Sequence, residues 1–326
     1  MNVRTTAAAF PAKAQKFTDP DWTAKGEQRA KVGLDQLVTL WINTGTLCNI
    51  TCRNCYIESS PSNDRLVYIT TAEAIAFLDE AKSAGAREIG FTGGEPFLNP
   101  DFPAMLRAAL GLGFKVLVLT NAMLPMQRPH IKEQLIALNK CHGDRLTLRV
   151  SLDHFTQTLH EVERGDKTWQ KTLDGLDWLS ANSFHVAIAG RTCWHETEEV
   201  ARTGYAALIA KQRWPVNASD HKQLMLLPEM DAGYDGPEIT TACWEILKKS
   251  PNQMMCATSR MVVKRKGAAA PVVVPCTLLP YDPVFEMGTT LEEAAKVTGA
   301  MFDRGSVKLC HKNCAKFCVL GGGSCS

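Results

Sequence analysis

Several things are scarce in this chain of 326 residues, and each scarcity excludes something. No stretch approaches the ~18 consecutive apolar residues of a membrane span, and the opening MNVRTTAAAFPAKAQKF has scattered Arg and Lys but no apolar h-region. Neither sign of charge predominates: 36 basic against 34 acidic residues leave a net +2. Nothing in that balance points to nucleic acid or an acidic membrane surface as a partner. No internal repeat appears, and the only biased tract is the short "GAAAP" at Gly267 to Pro271, which reads as a turn. Twelve cysteines are far fewer than the ~8–10% of a disulfide scaffold. A reducing, cytoplasmic setting is the expectation, and there clustered cysteines point to metal before disulfide.

What is present is enough apolar residue, 45%, for a substantial core. From about residue 36 to 228, short apolar runs alternate with longer amphipathic ones, the pattern of repeated βα units on a parallel sheet. The strands expected are Gln36 to Ile42, Glu88 to Thr92, Lys115 to Thr120, Leu146 to Leu152, His185 to Ala189 and Gln223 to Leu227. Between them, helices are expected at Thr71 to Ala84, Pro100 to Leu112, Pro129 to Asn139, Lys167 to Ser180 and Glu196 to Lys211, with Gly85 and Gly113 placed as C-caps. Six such units predict an α/β fold, a partial (β/α)6 TIM-type barrel with its site at the C-terminal ends of the strands; an ordinary doubly wound sheet is the alternative. Beyond residue 232, Pro and Gly become frequent, the periodicity fades, and seven of the twelve cysteines occur. The organisation expected is therefore an N-terminal extension at 1–35, the barrel at 36–232 and a smaller cysteine-rich C-terminal domain at 233–326.

Chemistry-bearing motifs follow each apolar run. After the first comes "CNITCRNC", with Cys48, Cys52 and Cys55 within eight positions. A disulfide uses two thiols and a structural zinc site usually four. Three thiolates on a loop leaving a strand suit one face of a cubane iron–sulfur cluster, with one iron left open. Zinc with a fourth ligand, or three unrelated cysteines, are the plainer alternatives. "GGEP" (Gly93 to Pro96), "TNA" (Thr120 to Ala122), "SLDH" (Ser151 to His154), "GRTCWH" (Gly190 to His195) and "PEMD" (Pro228 to Asp231) follow the next five runs. Paired glycines let backbone approach a ligand closely, and the following Pro fixes the turn.

The C-x3-C-x2-C loop with Tyr56 directly after it, followed by "GGEP" at the end of the next strand, resembles the radical S-adenosylmethionine (SAM) superfamily. The resemblance implies a [4Fe-4S] cluster on Cys48, Cys52 and Cys55, its open iron held by the amino and carboxylate groups of SAM. Reductive cleavage of SAM would give a 5′-deoxyadenosyl radical that abstracts hydrogen from a substrate. By the same resemblance the backbone of Gly93 and Gly94, together with Glu95, would meet the SAM ammonium group, with Thr120 and Asn121 nearby; Ala122 stands where Gly is usual. Ser151 and Asp153 fall where the family contacts the ribose or the methionine carboxylate, and Arg191 suits that carboxylate as a planar guanidinium. Capping, packing and structural ion pairing remain open for these. His154, Trp194, His195, Glu229 and Asp231 are expected at the barrel mouth, as substrate contacts or merely structural residues, and Cys193 as a small apolar filler.

Toward the C-terminus, Cys256 and Cys276 flank two β-runs around a Lys/Gly turn, a hairpin that would bring them together. "CHKNCAKFC" supplies Cys310, Cys314 and Cys318, and Cys325 follows. The layout resembles the SPASM and twitch auxiliary-cluster extensions of radical SAM enzymes, although C-x3-C-x3-C-x6-C departs from the usual SPASM spacing. One or two auxiliary [4Fe-4S] clusters are implied; a zinc knuckle including His311, and Cys243 as either a further ligand or a buried helix residue, are weighed beside them. The partners expected are an electron donor such as flavodoxin or ferredoxin and a small-molecule or peptide/protein substrate. Residues 1–35 look too short and irregular for a winged-helix peptide-docking element, which favours a small molecule or whole protein. An electron-transfer or metal-binding protein without SAM chemistry is the competing reading.

Overall fold

The computed structural model describes residues 15–229, 233 and 236–321. Six strands, β1 (Thr39–Asn43), β2 (Glu88–Thr92), β3 (Lys115–Thr120), β4 (Leu146–Ser151), β5 (His185–Arg191) and β6 (Leu224–Leu227), lie parallel in chain order. The helices between them include α1 (Thr71–Ser83), α2 (Phe102–Gly111), α3 (Pro129–His142), α4 (Gln157–Arg164), α5 (Trp169–Ala181) and α6 (Glu198–Gln212). Thr70 opens α1 with a reciprocal capping box to Glu73. The α/β partial barrel expected from the alternating pattern is what forms.

Two features went unread in the sequence. The helix α4 occupies the segment after "SLDH", too short and too polar to register as a periodic run. The first half of the cysteine hairpin, β7 (Ser259–Val263), extends the barrel sheet: it pairs parallel to β1, and β8 (Val272–Val274) then returns antiparallel with Met261 opposite Val274. The sheet order is β6-β5-β4-β3-β2-β1-β7-β8. A second, three-stranded sheet joins Lys31–Val32 to Ser306–Lys308 and Phe302–Asp303, tying the N-terminal segment to the C-terminal one. Lys264, Arg265 and Lys266, in the turn of the hairpin, pair with Glu73, Glu286 and Asp64.

The inner face of the sheet is closed below the strand ends by Trp41, fully buried on β1. Its register partner is Gly90, and a Cβ on Gly90 would lie 2.4 Å from the indole ring. The glycine thus makes room for the largest buried side chain of the floor. Gly90→Ala is expected to lower stability by about 1–3 kcal/mol through overpacking, read as a fall in the thermal unfolding midpoint with the circular-dichroism spectrum unchanged.

Candidate active site

A cavity of about 990 Å³, counted with its mouth, opens at the C-terminal ends of the strands. Cys48, Cys52 and Cys55 line it from the loop after β1, facing Gly93 and Gly94 after β2, Thr120 and Asn121 at the end of β3, Ser151 and Asp153 at the end of β4, and Arg191 at the end of β5. Residues from four further strand ends, far apart in sequence, therefore share one space with the three thiols.

The glycines make a close approach, but to the cysteine loop itself. A Cβ on Gly94 would stand 2.1 Å from the Leu47 carbonyl, and one on Gly93 2.5 Å from that of Gly45. The Gly94 and Glu95 amides donate to the Gly45 and Leu47 carbonyls at 2.8 and 3.1 Å. Glu95 is set behind the cavity wall and is 1% exposed. Its carboxylate accepts from the Thr120 hydroxyl and the Asn121 amide, both at 2.8 Å, and burial pushes its pKa up to about 7. The carboxyl joins the end of β2 to that of β3. Ala122 holds φ at +58°, the left-handed region where Gly is at ease, and Gly175 on α5 clears space for it.

The thiols are held by neighbouring donors. The Asn121 side-chain amide lies 3.9 Å from Cys48 Sγ, and the Ser59 amide donates to Cys55 Sγ at 3.3 Å. Burial pushes Cys48 to about 12 and Cys52 to about 11, the latter opposed by the charge of Arg164. Three thiols lining one cavity, two glycines without side chains and adjacent cationic charge fit a cluster whose iron takes thiolates, since metal binding drives the deprotonation that burial resists.

Two residues invisible to motif reading anchor this loop, both from α4. Glu163 accepts from the Asn54 backbone amide at 2.6 Å and from its side-chain amide at 2.8 Å, while its own carbonyl takes the Arg53 amide at 2.8 Å. Arg164 pairs with Asp153 at 2.7 Å, and Arg191 stands 3.8 Å from Asp153 and 3.9 Å from Glu163. The only sequence signal was an Asp followed ten and eleven residues later by a Glu-Arg pair, which carries no recognisable spacing.

The rim residues are placed differently. His154 is buried, its Nε2 at 3.1 Å from the Glu196 carboxylate and its Nδ1 taking the Thr156 amide, and its ring packs on Phe155 and Trp194. It knots the rim together and does not line the cavity. Cys193 and His195 lie on the following loop, outside the lining as well; burial raises Cys193 to about 11. Asp231 lies outside the described residues, as does Cys325.

The hairpin, with Cys256 before β7 and Cys276 after β8, brings both thiols to one end. Cys314 and Cys318 stand one turn apart on a wide π-helical segment, Cys314–Leu320, and so share a face. All four line a second, smaller apolar cavity with Met255, Leu278 and Leu309. Burial raises Cys256 to about 11 and Cys276 and Cys314 well above the ordinary thiol range. Cys310 is not brought to this group: Leu309 pairs with Ala30, which turns the next residue toward the N-terminal segment, and Cys310 Sγ lies 3.3 Å from the Asp19 carbonyl. Cys243 is half-buried beside Thr240. The His311 ring faces Phe285, and its Nδ1 takes the Asn313 amide. Among the described residues no three His, Cys, Asp or Glu side chains converge on a point for a single metal ion; these four thiols surround a space. The two cavities share a wall, for Cys276 lines the second and Thr277 the first.

Residues 42–202, just under half of the chain, match the Radical SAM superfamily. The chain is 31% identical over 157 residues to an AdoMet-dependent heme synthase of Methanosarcina barkeri, covering 48% of this chain and 43% of the relative. It is 29% identical over 143 residues to the antilisterial bacteriocin subtilosin biosynthesis protein AlbA of Bacillus subtilis, covering 44% and 30%. The chain thus matches less than half the length of these curated relatives. In fold it is similar to Streptococcus suis SuiB bound to S-adenosylmethionine, with TM-score 0.58, 14% identity and coverage of 78% and 64%. It is also similar to anSMEcpe with bound AdoMet, with TM-score 0.55, 15% identity and coverage of 78% and 79%. No helix among the described residues is long and apolar enough to cross a membrane.

Glu163→Ala is expected to leave both Asn54 donors without their carboxylate. Hydrogen bonds to a charged group contribute about 1.5–3 kcal/mol each, so iron should leave the reconstituted three-cysteine site at least about tenfold faster under chelator, followed by the loss of visible cluster absorbance.

Proposed function

We propose that this chain is a radical SAM enzyme that binds a [4Fe-4S] cluster on Cys48, Cys52 and Cys55 and reductively cleaves SAM to start radical oxidation or bond formation on a substrate. The observation that carries the reading is the convergence of those three thiols with the ends of β2 to β5 on one cavity. When bound, the cluster and SAM supply a one-electron cleavage of the sulfonium and a carbon radical able to take hydrogen from substrate.

The chain's own residues hold and surround that chemistry. Asn121 and Ser59 orient two of the sulfurs, and Arg164 supplies the positive charge that offsets thiolate formation nearby. Gly93 and Gly94 present backbone to the cavity beside the cysteine loop, where the SAM amino group would be received. Ser151, Asp153 and Arg191 are the polar groups available to the ribose and methionine carboxylate; a guanidinium suits the latter. Leu119, Ala189, Met225 and Leu227 give the remaining wall an apolar lining that limits water around the reacting centre.

Residues 233–326 would act as a SPASM/twitch-like unit carrying one auxiliary [4Fe-4S] cluster on Cys256, Cys276, Cys314 and Cys318, separated from the SAM cavity only by the 276–277 wall. That position suits an electron acceptor or relay, and a one-electron carrier such as flavodoxin or ferredoxin would be the external donor. The relatives named above and the fold neighbours leave both a small molecule and a peptide or protein as substrate classes.

Anaerobic reconstitution with iron and sulfide, then dithionite and SAM, is expected to yield 5′-deoxyadenosine from the wild type and none from a Cys48/Cys52/Cys55→Ala triple variant. A fully loaded wild type that neither binds nor cleaves SAM would leave an iron–sulfur carrier in its place. Separately, replacing Cys256, Cys276, Cys314 and Cys318 by Ala is expected to remove about half of the reconstituted iron, as the four-cysteine count implies, whereas Cys310→Ala should leave iron content unchanged by metal analysis.

A further inference from the structure

Arg260 stands on β7 with Leu40 of β1 as its register partner. Its neighbour Met261 pairs with Trp41 of the barrel floor, so Arg260 lies on the opposite face of the sheet, toward the C-terminal segment. There it is 1% exposed. Nη1 donates to the Cys256 carbonyl at 2.6 Å and the Ser259 carbonyl at 2.8 Å, and Nη2 to the Gly305 carbonyl at 3.3 Å. Nε, buried as well, makes no hydrogen bond. Every partner is a backbone oxygen, and no carboxylate among the described residues pairs with this guanidinium.

A buried cation without a counter-ion is costly. Burial lowers the pKa of Arg260, and the charges that act against that fall are the thiolates of Cys256 and Cys276. In turn, burial raises Cys256 and the charge of Arg260 opposes the rise. The cavity that these two thiols share with Cys314 and Cys318 is otherwise apolar except for Asn313: among the described residues no Asp, Glu, Lys or Arg lines it. The three-thiol site is different. Arg164 and Arg191 there stand against Asp153 and Glu163, so fixed charges of both signs meet. Beside the four thiols one fixed cation has no fixed anion, and the charge that would balance it is that of a thiolate-bound cluster.

We propose that Arg260 is the built-in counter-charge of the four-cysteine group: its guanidinium balances the thiolates of Cys256 and Cys276 and raises the potential at which a cluster held there takes up one electron. The inference rests on the reading of these four cysteines as a cluster site, and it makes Arg260 a positioning residue that acts through that cluster. Uptake adds one electron, supplied by dithionite in the test, and no proton, so the site gains a full negative charge. A fixed cation nearby stabilises the more negative state. Clamping the hairpin to the Gly305 turn needs donors for three carbonyls, which a neutral side chain also has; the charge goes beyond that task.

The test uses the full chain with Cys48, Cys52 and Cys55 replaced by Ala, so that reconstituted iron sits only at the four-cysteine group. Its midpoint potential is read from an anaerobic dithionite titration followed by visible bleaching and electron paramagnetic resonance. Arg260→Met in this parent is expected to make reduction at least about tenfold less favourable, a fall of about 59 mV for one electron, while iron content stays unchanged. Arg260→Lys, which keeps the charge and loses the fork, is expected to stay within about threefold of the parent. Should Arg260→Met fail to fold, Arg260→Gln, which keeps donors for the carbonyls without the charge, must show the same fall. The proposal is overturned by a folded, iron-loaded neutral variant whose potential is unmoved or higher, or by an Arg260→Lys potential that falls as far as the neutral variant's. In both cases the cluster reading stands. If the parent takes up no iron while the wild type still loads the three-cysteine site, the auxiliary-cluster reading itself falls and the proposal with it.

Discussion

Adjacent residues of opposite charge at the end of α4, Glu163 and Arg164, hold together parts of the molecule that would otherwise move apart. Glu163 grips the backbone between Cys52 and Cys55, and Arg164 closes on Asp153 at the end of β4. Both are buried, so neither charge can be left without its partner, and removing one member of such a pair costs far more than the pair contributes by itself. The cysteine loop, a segment without regular structure, thereby takes its position from the sheet and a short helix.

The thiols depend on the same arrangement. Burial drives Cys48 and Cys52 toward the protonated form, and the Arg164 guanidinium is the charge that works against it. Raising a thiol's pKa protects it from adventitious chemistry, while a bound metal reverses the preference. The second group is more enclosed: burial pushes Cys276 and Cys314 up strongly, with each neighbouring thiol adding to the shift.

The six parallel strands were legible because each is a buried apolar run, and fully buried strands read as continuous hydrophobic segments. All five expected helices begin within two residues and end within three of where they form, since caps such as Thr70 are local signals. The cavity residues Cys48, Cys52, Cys55, Ser151 and Arg191 were legible for a different reason: strand ends are where such a fold gathers its chemistry. What escaped was non-local. Nothing in "QTLHEVER" announces that Glu163 will meet Asn54, over a hundred residues away, because an isolated acid–amide pair has no periodicity. That Ser259–Val263 would pair with β1 was equally hidden, as a valine-rich run fits a hairpin and a barrel strand alike. Glu95 was legible as a special residue, but its inward turn toward Thr120 and Asn121 follows from packing that only the folded chain displays.

The pairing of β7 with β1 has a further meaning. One strand leads into the loop of the three thiols, and its neighbour carries Cys256 at its start, while β8 delivers Cys276. The spacing between the three-thiol loop and the Cys256 and Cys276 pair is thus tied to hydrogen-bonded strand register, with the 276–277 peptide as the partition. Electron exchange across that partition would have a tunnelling distance set by a ladder of peptide bonds, so its rate would belong to the architecture and would not wait on a hinge or a diffusive encounter.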